Sequence, residues 1–419
     1  MAVTPAARLQ MAIEILEAMG ATHQPLDRFL KQWFRSRRFA GSGDRRAIGE
    51  MVFQVQRSRA RLAHRMGSDA PRALAIALVA GGDIDALFGG GYGPEPLSEA
   101  ERAQLARAPD AMPDWMRGEY PAWLEGELKR AFGDRLMAEM IALQDRAPVD
   151  LRVNTLKAGR ADVLAALKQE GFAAEATPWS PVGIRIPPGG GSAALAKSDL
   201  FARGTFEFQD EAAQIASLLA GARPGMAVLD LAAGAGGKAL ALAAAMENRG
   251  HILAFDDSAA RLAPLAERAA RAGATMIAMT DRHGGPAWGP ENTPNGKFEL
   301  VFLDAPCSGT GTWRRQPELR WRLTPERLAE LNRIQDGLLD EAARHTAPGG
   351  LILYATCSVL PVENRDRVAA FLARQPGFVL ADLAEHWHGR APPGLSGDFR
   401  ASPALTGTDG FFAAGLRRS

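Results

Sequence analysis

Apolar residues recur at three- and four-residue spacing through Arg8-Leu-Gln-Met-Ala-Ile-Glu-Ile-Leu-Glu-Ala-Met19, the pattern of a helix with one buried face. Gly20 follows where a C-terminal cap belongs. The same character returns over 45–62 and 71–80. Two glycine-rich interruptions, Gly81-Gly82 and Gly89-Gly-Gly-Tyr-Gly-Pro, then separate these helices from a second helical group over about 98–145. Residues 1–145 thus read as an all-helical domain, with no composition that suggests a catalytic centre.

The periodicity changes after residue 146. Val149-Asp-Leu-Arg-Val-Asn-Thr-Leu alternates as a strand does, 160–169 reads as a helix, and Val182-Gly-Ile-Arg-Ile is a second short strand before a Pro/Gly loop. These features make 146–205 a small α+β segment. From Gly225 onward short apolar runs (227–231, 252–255, 300–303 and 351–354) alternate with Ala/Leu/Arg-rich helices. That rhythm predicts an α/β domain over 206–419, a Rossmann-like parallel sheet flanked by helices. In such sheets ligands sit beyond the carboxyl ends of the strands, so chemistry is to be sought there.

Composition adds little until its distribution is read. The formal net charge is +1, with 47% hydrophobic and 23% charged residues, ordinary for a globular protein. No apolar run reaches the roughly 20 residues of a membrane span, and the N-terminus carries no legible secretory signal, which together predict a cytoplasmic protein with no membrane partner. Basic residues concentrate early: nine lie between Lys31 and Arg61, against Asp44 and Glu50. Such a run fits phosphate contact through residues such as Arg37 and Arg38, and equally a solvated helical face. The only cysteines are Cys307 and Cys357, neither in a Cys-x-x-Cys pair, so neither a disulfide framework nor a zinc site is predicted. The isolated pair His386 and His388 gives no support for a metal.

The first strand of the α/β domain runs into Asp230-Leu-Ala-Ala-Gly-Ala-Gly-Gly-Lys238 and then into a helix. Glycines at 234, 236 and 237 let backbone pass close to a ligand. Asp256 follows the next strand, where an acidic residue catches ribose hydroxyls in nucleotide-binding folds. On this loop alone a dinucleotide, S-adenosylmethionine and a tight turn without ligand all stay open. The cysteines narrow the field. Each follows an apolar strand directly: Glu299–Asp304 leads into Ala305-Pro-Cys307-Ser-Gly-Thr-Gly, and 350–354 leads into Ala355-Thr-Cys357-Ser. Both thiols therefore face the same cleft as the glycine loop. Carbon 5 of cytosine is a weak nucleophile, and a thiolate adding to carbon 6 makes it enamine-like, so a methyl group can be accepted there. Asp304 is placed to hydrogen-bond the base near N3 and N4.

The combination of Asp230–Lys238, Asp304-Ala-Pro-Cys-Ser-Gly-Thr-Gly and Ala355-Thr-Cys-Ser-Val-Leu-Pro-Val-Glu-Asn364 closely resembles the Sun (Fmu) family of RNA cytosine-5 methyltransferases. Leu151-Arg-Val-Asn-Thr-Leu-Lys157, Phe208-Gln-Asp-Glu-Ala-Ala213 and Asp409-Gly-Phe-Phe412 add to the likeness, which covers about 148 to the end. The helical region resembles, more weakly, the NusB-like RNA-binding domain of bacterial members. The resemblance implies an S-adenosylmethionine-dependent enzyme with Cys357 as nucleophile and Cys307 assisting release of the methylated base. It places Ala232, Ala233, Gly234, Ala235, Gly236, Gly237 and Lys238 at the methionine end of the cofactor, Asp256 at its ribose and Asp281 beside its adenine. Asp304 would stand between sulfonium and cytosine. The loop departs mildly from the family, with Gly-Ala-Gly-Gly where many members have Ala-Pro-Gly-Gly and Ala239 in place of a frequent Thr.

After Cys307 comes Trp313-Arg-Arg-Gln-Pro-Glu-Leu-Arg-Trp-Arg322. Arg314, Arg315, Arg320 and Arg322 with two tryptophans suit phosphate contact and base stacking at a cleft mouth; a packed Trp pair covered by arginine is the competing reading. The target cytosine must be unstacked to reach Cys357. The resemblance implies ribosomal RNA, from the small subunit, as the substrate; no metal is expected, and the sequence leaves the oligomeric state open, a monomer being the expectation. Transfer RNA is the alternative substrate. An NAD-dependent oxidoreductase or a non-catalytic RNA-binding assembly factor are the alternatives from other classes.

Overall fold

A computed structural model describes residues 3–20, 22, 24–108, 110–189, 191–281 and 296–419. The chain forms two compact units: Met1–Asp145 with Trp313–Leu323, and Arg146–Thr312 with Thr324–Ser419.

The first unit is helical. Its opening helix, Pro5–Met19, starts where the Thr4 hydroxyl accepts the Ala7 N–H at 3.2 Å. It ends at Gly20 in right-handed backbone (φ −62°), so this glycine is not a left-handed cap. The single helix expected over 45–62 is two, Ser42–Arg57 and Arg59–Met66, broken at Ser58. The break has a physical cause outside the local sequence. The buried Glu119 carboxylate accepts the N–H groups of Ala60 (2.8 Å) and Arg61 (3.1 Å), which are orphan donors of the second helix's first turn. Ile15, Leu16, Leu30, Trp33, Ile48 and Val52 fill the core of this unit.

Trp313–Leu323 belongs to this helical unit and not, as the sequence suggested, to the surface of the catalytic domain. Trp313 and Arg320 are fully buried. The Arg320 guanidinium lies 5.1 Å from the Trp313 ring centroid and donates to the carbonyls of Glu119 and Leu143, both at 3.1 Å. Burial pulls the Arg320 pKa down to about 10, with the Glu119 charge opposing that fall. Glu318 accepts the Leu26 N–H at 2.9 Å, and the Trp321 indole donates to the Gln56 carbonyl at 3.0 Å. This segment is a structural plug.

The second unit contains two sheets. The smaller is antiparallel, in the order β2-β3-β1-β4, from β1 (Val149–Val153), β2 (Glu175–Ala176), β3 (Gly183–Ile186) and β4 (Phe206–Phe208). Its last strand runs past the boundary expected at 205. The larger sheet holds nine strands: β5 (Ala227–Asp230), β6 (His251–Phe255), β7 (Ile277–Thr280), β8 (Phe298–Asp304), β9 (Thr346–Thr356), β10 (Phe378–Ala381), β11 (Leu395–Ser396), β12 (Asp398–Ala401) and β13 (Phe411–Arg418). Strands β7-β6-β5-β8-β9 are parallel; β13 pairs antiparallel with β9, and β12 and β10 with β13. Helices such as Glu211–Leu219 and Gly237–Ala245 supply one apolar layer, and Pro325–His345 and Arg365–Arg374 the other. Leu300, Val301, Phe302 and Leu303 of β8 are consequently buried on both faces, as a central parallel strand requires. Among the described residues no helix is long and apolar enough to cross a membrane, and no group of His, Cys, Asp and Glu could hold a metal.

Candidate active site

Strand order fixes where the chemistry can lie. The chain runs outward from β5 to β6 and β7, then returns to place β8 on the other side of β5. The crevice of a doubly wound sheet opens at such a reversal, beyond the carboxyl ends of β5 and β8. Asp230 ends β5 and Asp304 ends β8, so both carboxylates stand at that crevice. The β8–β9 register then pairs Leu303 with Tyr354 and Asp304 with Ala355. It sets the turn containing Cys307 beside the turn containing Cys357, and the two sulfurs are 3.4 Å apart as free thiols.

The loop after β5 is built around glycine. Gly234 (φ 51°) and Gly236 (φ 80°) are left-handed. A Cβ on Gly236 would collide with Leu265, whereas one on Gly234 would meet nothing within 4 Å, leaving that face of the loop open to a ligand. Ala232, Ala233 and Ala235 lie on the same loop, and Gly237 and Lys238 begin the helix that follows. Two supports hold the loop that the sequence did not reveal. Arg152 of β1, buried, donates to the Gly237 carbonyl at 2.7 Å and to the Gln209 side chain. Asp256 accepts the Gly234 N–H at 2.9 Å.

Asp256 is thus engaged by protein groups in this structure. It is buried, and it also accepts the Ser258 N–H and the guanidinium of Arg261, which is half exposed above it. Its neighbour Asp257 is exposed and lines a cavity of about 640 Å³ with Ala232, Phe255, Arg261 and Pro306. Asp281 follows β7 on the same carboxyl edge; residues 282–295 beyond it lie outside the described residues.

Lys238 and Asp304 form an ion pair at the crevice. Burial disfavours the ammonium, but the Asp304 carboxylate, with smaller contributions from Cys357 and Asp230, more than offsets this and holds the Lys238 pKa above its ordinary range. Beneath them Asp230 is fully buried, and neither carboxylate oxygen makes a hydrogen bond of good geometry, although the Ala239 N–H lies near. Burial, reinforced by the Asp304 charge and opposed by Lys238, pushes the Asp230 pKa up to about 7. An unfolded aspartate ionises near 3.8, so between that pH and 7 the folded state keeps a proton that the unfolded state releases. Stability should fall as pH rises through that window and level off above it. Asp230→Asn is expected to flatten this dependence and raise the melting temperature at pH 8 relative to wild type. Differential scanning fluorimetry at pH 5 and pH 8 checks it; equal pH slopes for the two proteins would contradict it.

A buried polar scaffold lies under the two cysteine turns. Glu363 accepts the Ser308 N–H (2.8 Å), the Ser308 hydroxyl and the Gln335 amide (3.1 Å). Asn364 accepts the Thr356 hydroxyl at 2.6 Å and donates to the Ser358 carbonyl at 2.9 Å. The Thr310 and Ser358 hydroxyls meet at 3.0 Å, and the Gly311 N–H donates to the Cys357 carbonyl at 3.0 Å. Glu363 and Asn364 fall within the motif that follows Cys357, where the sequence alone assigns them no task. The Cys307 pKa lies well above the ordinary thiol range: its hydrogen bond to Cys357 and its burial are the main causes, with the Cys357 and Glu363 charges adding to them.

Of the arginines assigned to RNA, Arg314 and Arg320 are buried in the first unit and cannot meet phosphate. Arg322 is half-buried and donates to the Gln24 carbonyl at 2.8 Å; Arg315 is half-buried. The competing reading, packed tryptophans covered by arginine, describes this segment. Arg38 is exposed, and Arg37 stacks 3.6 Å from the Trp33 ring centroid.

A family model for the 16S rRNA methyltransferase RsmB/F matches residues 217–417, and one for the RsmF/B-like ferredoxin-like domain matches 120–189. The ribosomal RNA small subunit methyltransferase B of Sodalis glossinidius is 34% identical over 322 residues, 76% of this chain and 70% of that protein. The chain belongs to this family, the Sun/Fmu ribosomal RNA methyltransferases. The enzyme of the same name from Pseudomonas syringae pv. tomato is 35% identical over 314 residues, 72% of this chain and 66% of that one, so the match spans about two thirds of each relative's length. Among solved structures, PH0851 shares 26% identity over the whole of both chains with a TM-score of 0.77. A methyltransferase homologue from Pyrococcus horikoshii covers 73% of this Sun/Fmu chain and 98% of its own (26% identity, TM-score 0.60). NSun6 from the same organism, solved with SFG, shares the fold (22% identity, 71% and 98% coverage, TM-score 0.61).

Proposed function

We propose that this protein transfers a methyl group from S-adenosylmethionine to carbon 5 of a cytosine in small-subunit ribosomal RNA, through a covalent adduct on Cys357. The observation that carries the reading is the pair of thiols 3.4 Å apart, beside the Lys238–Asp304 ion pair, at the switch point of the sheet. Hydride transfer by an NAD-dependent oxidoreductase gives the paired thiols no role, and a pure binding protein has no need of the ion pair.

S-adenosylmethionine, when bound, supplies an electrophilic methyl group on a sulfonium. Three features fit it: the open face at Gly234, the two unpartnered oxygens of Asp230, and the cavity beside Ala232 and Asp257. The loop 232–238 would hold its methionine end, and Asp281 the adenine side. A ribose would reach Asp256 by displacing Arg261, with Asp257 exposed alongside.

Cys357 adds as thiolate to carbon 6 of the cytosine, and the electron pair of the 5,6 double bond moves into the ring, making carbon 5 nucleophilic. Lys238 favours negative charge at Cys357 and fixes Asp304, whose second oxygen can accept from the exocyclic amine. After methylation a base accepts the carbon 5 proton, the electron pair of that bond re-forms the 5,6 double bond, Cys357 leaves carbon 6 as thiolate, and Cys307 assists release of the methylated base.

RNA is held in part by the first unit. Lys31, Arg35, Arg38, Arg45 and Arg46 are exposed, and Phe39 between them is 64% exposed. Arg45 and Arg46 stand in the first turn of Ser42–Arg57, where cations oppose the helix dipole, a cost that phosphate binding would offset. Arg35→Ala with Arg38→Ala is expected to weaken binding to single-stranded RNA and to lower the slope of log K against log salt by about 0.7 for each phosphate no longer neutralised. An unchanged slope would contradict this surface. The function itself is tested by transfer of label from S-adenosylmethionine to 16S rRNA lacking 5-methylcytosine. Absence of both methyl transfer and cofactor binding would sink the reading.

A further inference from the structure

Two identical thiols in contact pose a problem that the strand geometry leaves open, namely which of them carries the charge. Lys238 lies on the Cys357 side. On the Cys307 side the groups are Glu363 and, on β9, the Tyr354 hydroxyl, which donates to the Glu363 backbone carbonyl at 2.6 Å. Glu363 is fully buried. Arg367, which might have neutralised it, is paired with Asp336 at 2.6 Å instead.

Among the described residues the Glu363 carboxylate is held by dipoles alone. One oxygen accepts the Ser308 N–H and the Gln335 amide, and the other accepts the Ser308 hydroxyl. The same Gln335 amide donates to the Pro306 carbonyl at 2.9 Å. The residues on both sides of Cys307 are thus tied to one carboxylate, and that carboxylate comes from the turn that follows Cys357. A buried charge without a counter-ion is costly, and a glutamine of the same shape would avoid the cost. A carboxylate at this position therefore implies that its charge is used.

We propose that Glu363 is a positioning residue that assigns the two thiols their roles: its buried charge fixes the Pro306–Ser308 turn and disfavours a second negative charge on Cys307, so that Cys357 alone becomes the thiolate. This rests on the reading of Cys357 as nucleophile. It adds that the distinction between the cysteines, to which Lys238 contributes from the Cys357 side, is reinforced by a third side chain, 55 residues from Ser308 in sequence. Cys307 then keeps its proton beside the Cys357 sulfur through the addition step.

The test is site-resolved alkylation of the full-length protein by iodoacetamide from pH 6 to the highest pH at which the fold persists, read by peptide mass spectrometry. It needs neither RNA nor cofactor, so it stands apart from success or failure of methyl transfer. In wild type, Cys357 should take nearly all the label at pH 7. In Glu363→Gln the Cys307 rate at pH 8 should rise about tenfold, with its titration midpoint moving to lower pH. A merely structural role would raise Cys307 labelling by exposure and leave the midpoint in place. Glu363→Asp withdraws the charge by one methylene without removing it, and should shift the midpoint less, in the same direction, even if the glutamine variant fails to fold. Unchanged midpoints in whichever of these variants folds would overturn the proposal.

Discussion

Cys357→Ala is expected to lower methyl transfer by at least about ten-thousandfold while leaving S-adenosylmethionine affinity unchanged. The loss is large because no other group can substitute. Cys307 is the neighbouring sulfur, but with Cys357 removed its burial and the Glu363 charge still disfavour a thiolate there, and its turn is clamped by Glu363 and Gln335. Cofactor affinity should survive because the cofactor loop and Cys357 are linked through the charge of Lys238, which the substitution leaves in place. Cys307→Ala should behave in the opposite manner. Addition to carbon 6 still proceeds, release is impaired, and a protein–RNA adduct that resists denaturation accumulates. The double variant should form none. A denaturing gel with labelled RNA reads all three, and an adduct that persists in Cys357→Ala would reassign the nucleophile.

The second large effect is structural. Gly311 follows the Cys307 turn and Gly410 precedes β13, and their backbones touch, with the Gly410 N–H donating to the Gly311 carbonyl at 2.9 Å. A Cβ on Gly311 would run into the Gly410 carbonyl, and one on Gly410 into Val359 and Gly311. At Gly311 the obstacle is backbone throughout, so relief requires backbone movement at the base of the cysteine turns. Gly311→Ala should therefore cost about 3 kcal/mol or more and abolish activity. Gly337→Ala, in the interior of Pro325–His345 with nothing within 4 Å, should instead stabilise by up to about 1 kcal/mol. Urea unfolding distinguishes the two; similar midpoints for both variants would show that the close glycine approach is not needed.

What can be read in the sequence follows from how local each signal is. The runs at 227–231, 252–255, 300–303 and 351–354 mark β5, β6, β8 and β9 because strands buried on both faces are continuously apolar. The cysteines can be placed at one edge for the same reason, each lying directly after such a run. By contrast, β10 to β12 leave no such mark. Val379 and Leu380 of β10 are exposed at 53% and 52%, and β11 has two residues, so neither shows a clear period. The helix break at Ser58 depends on Glu119, and the cysteine scaffold on Ser308 and Gln335 meeting Glu363, pairings made across long stretches of chain. Trp313–Arg322 misleads for a different reason. Arginine beside tryptophan has one composition whether it stacks on RNA or plugs a core, and only burial separates the two.

Release of tritium from ribosomal RNA labelled at carbon 5 of cytosine, followed together with methyl incorporation from S-adenosylmethionine, tests the central claim most directly. Substitution at carbon 5 requires one tritium lost for each methyl gained, and neither event should occur with Cys357→Ala. Methyl incorporation without tritium release would place the methyl elsewhere and contradict the covalent cytosine-5 mechanism.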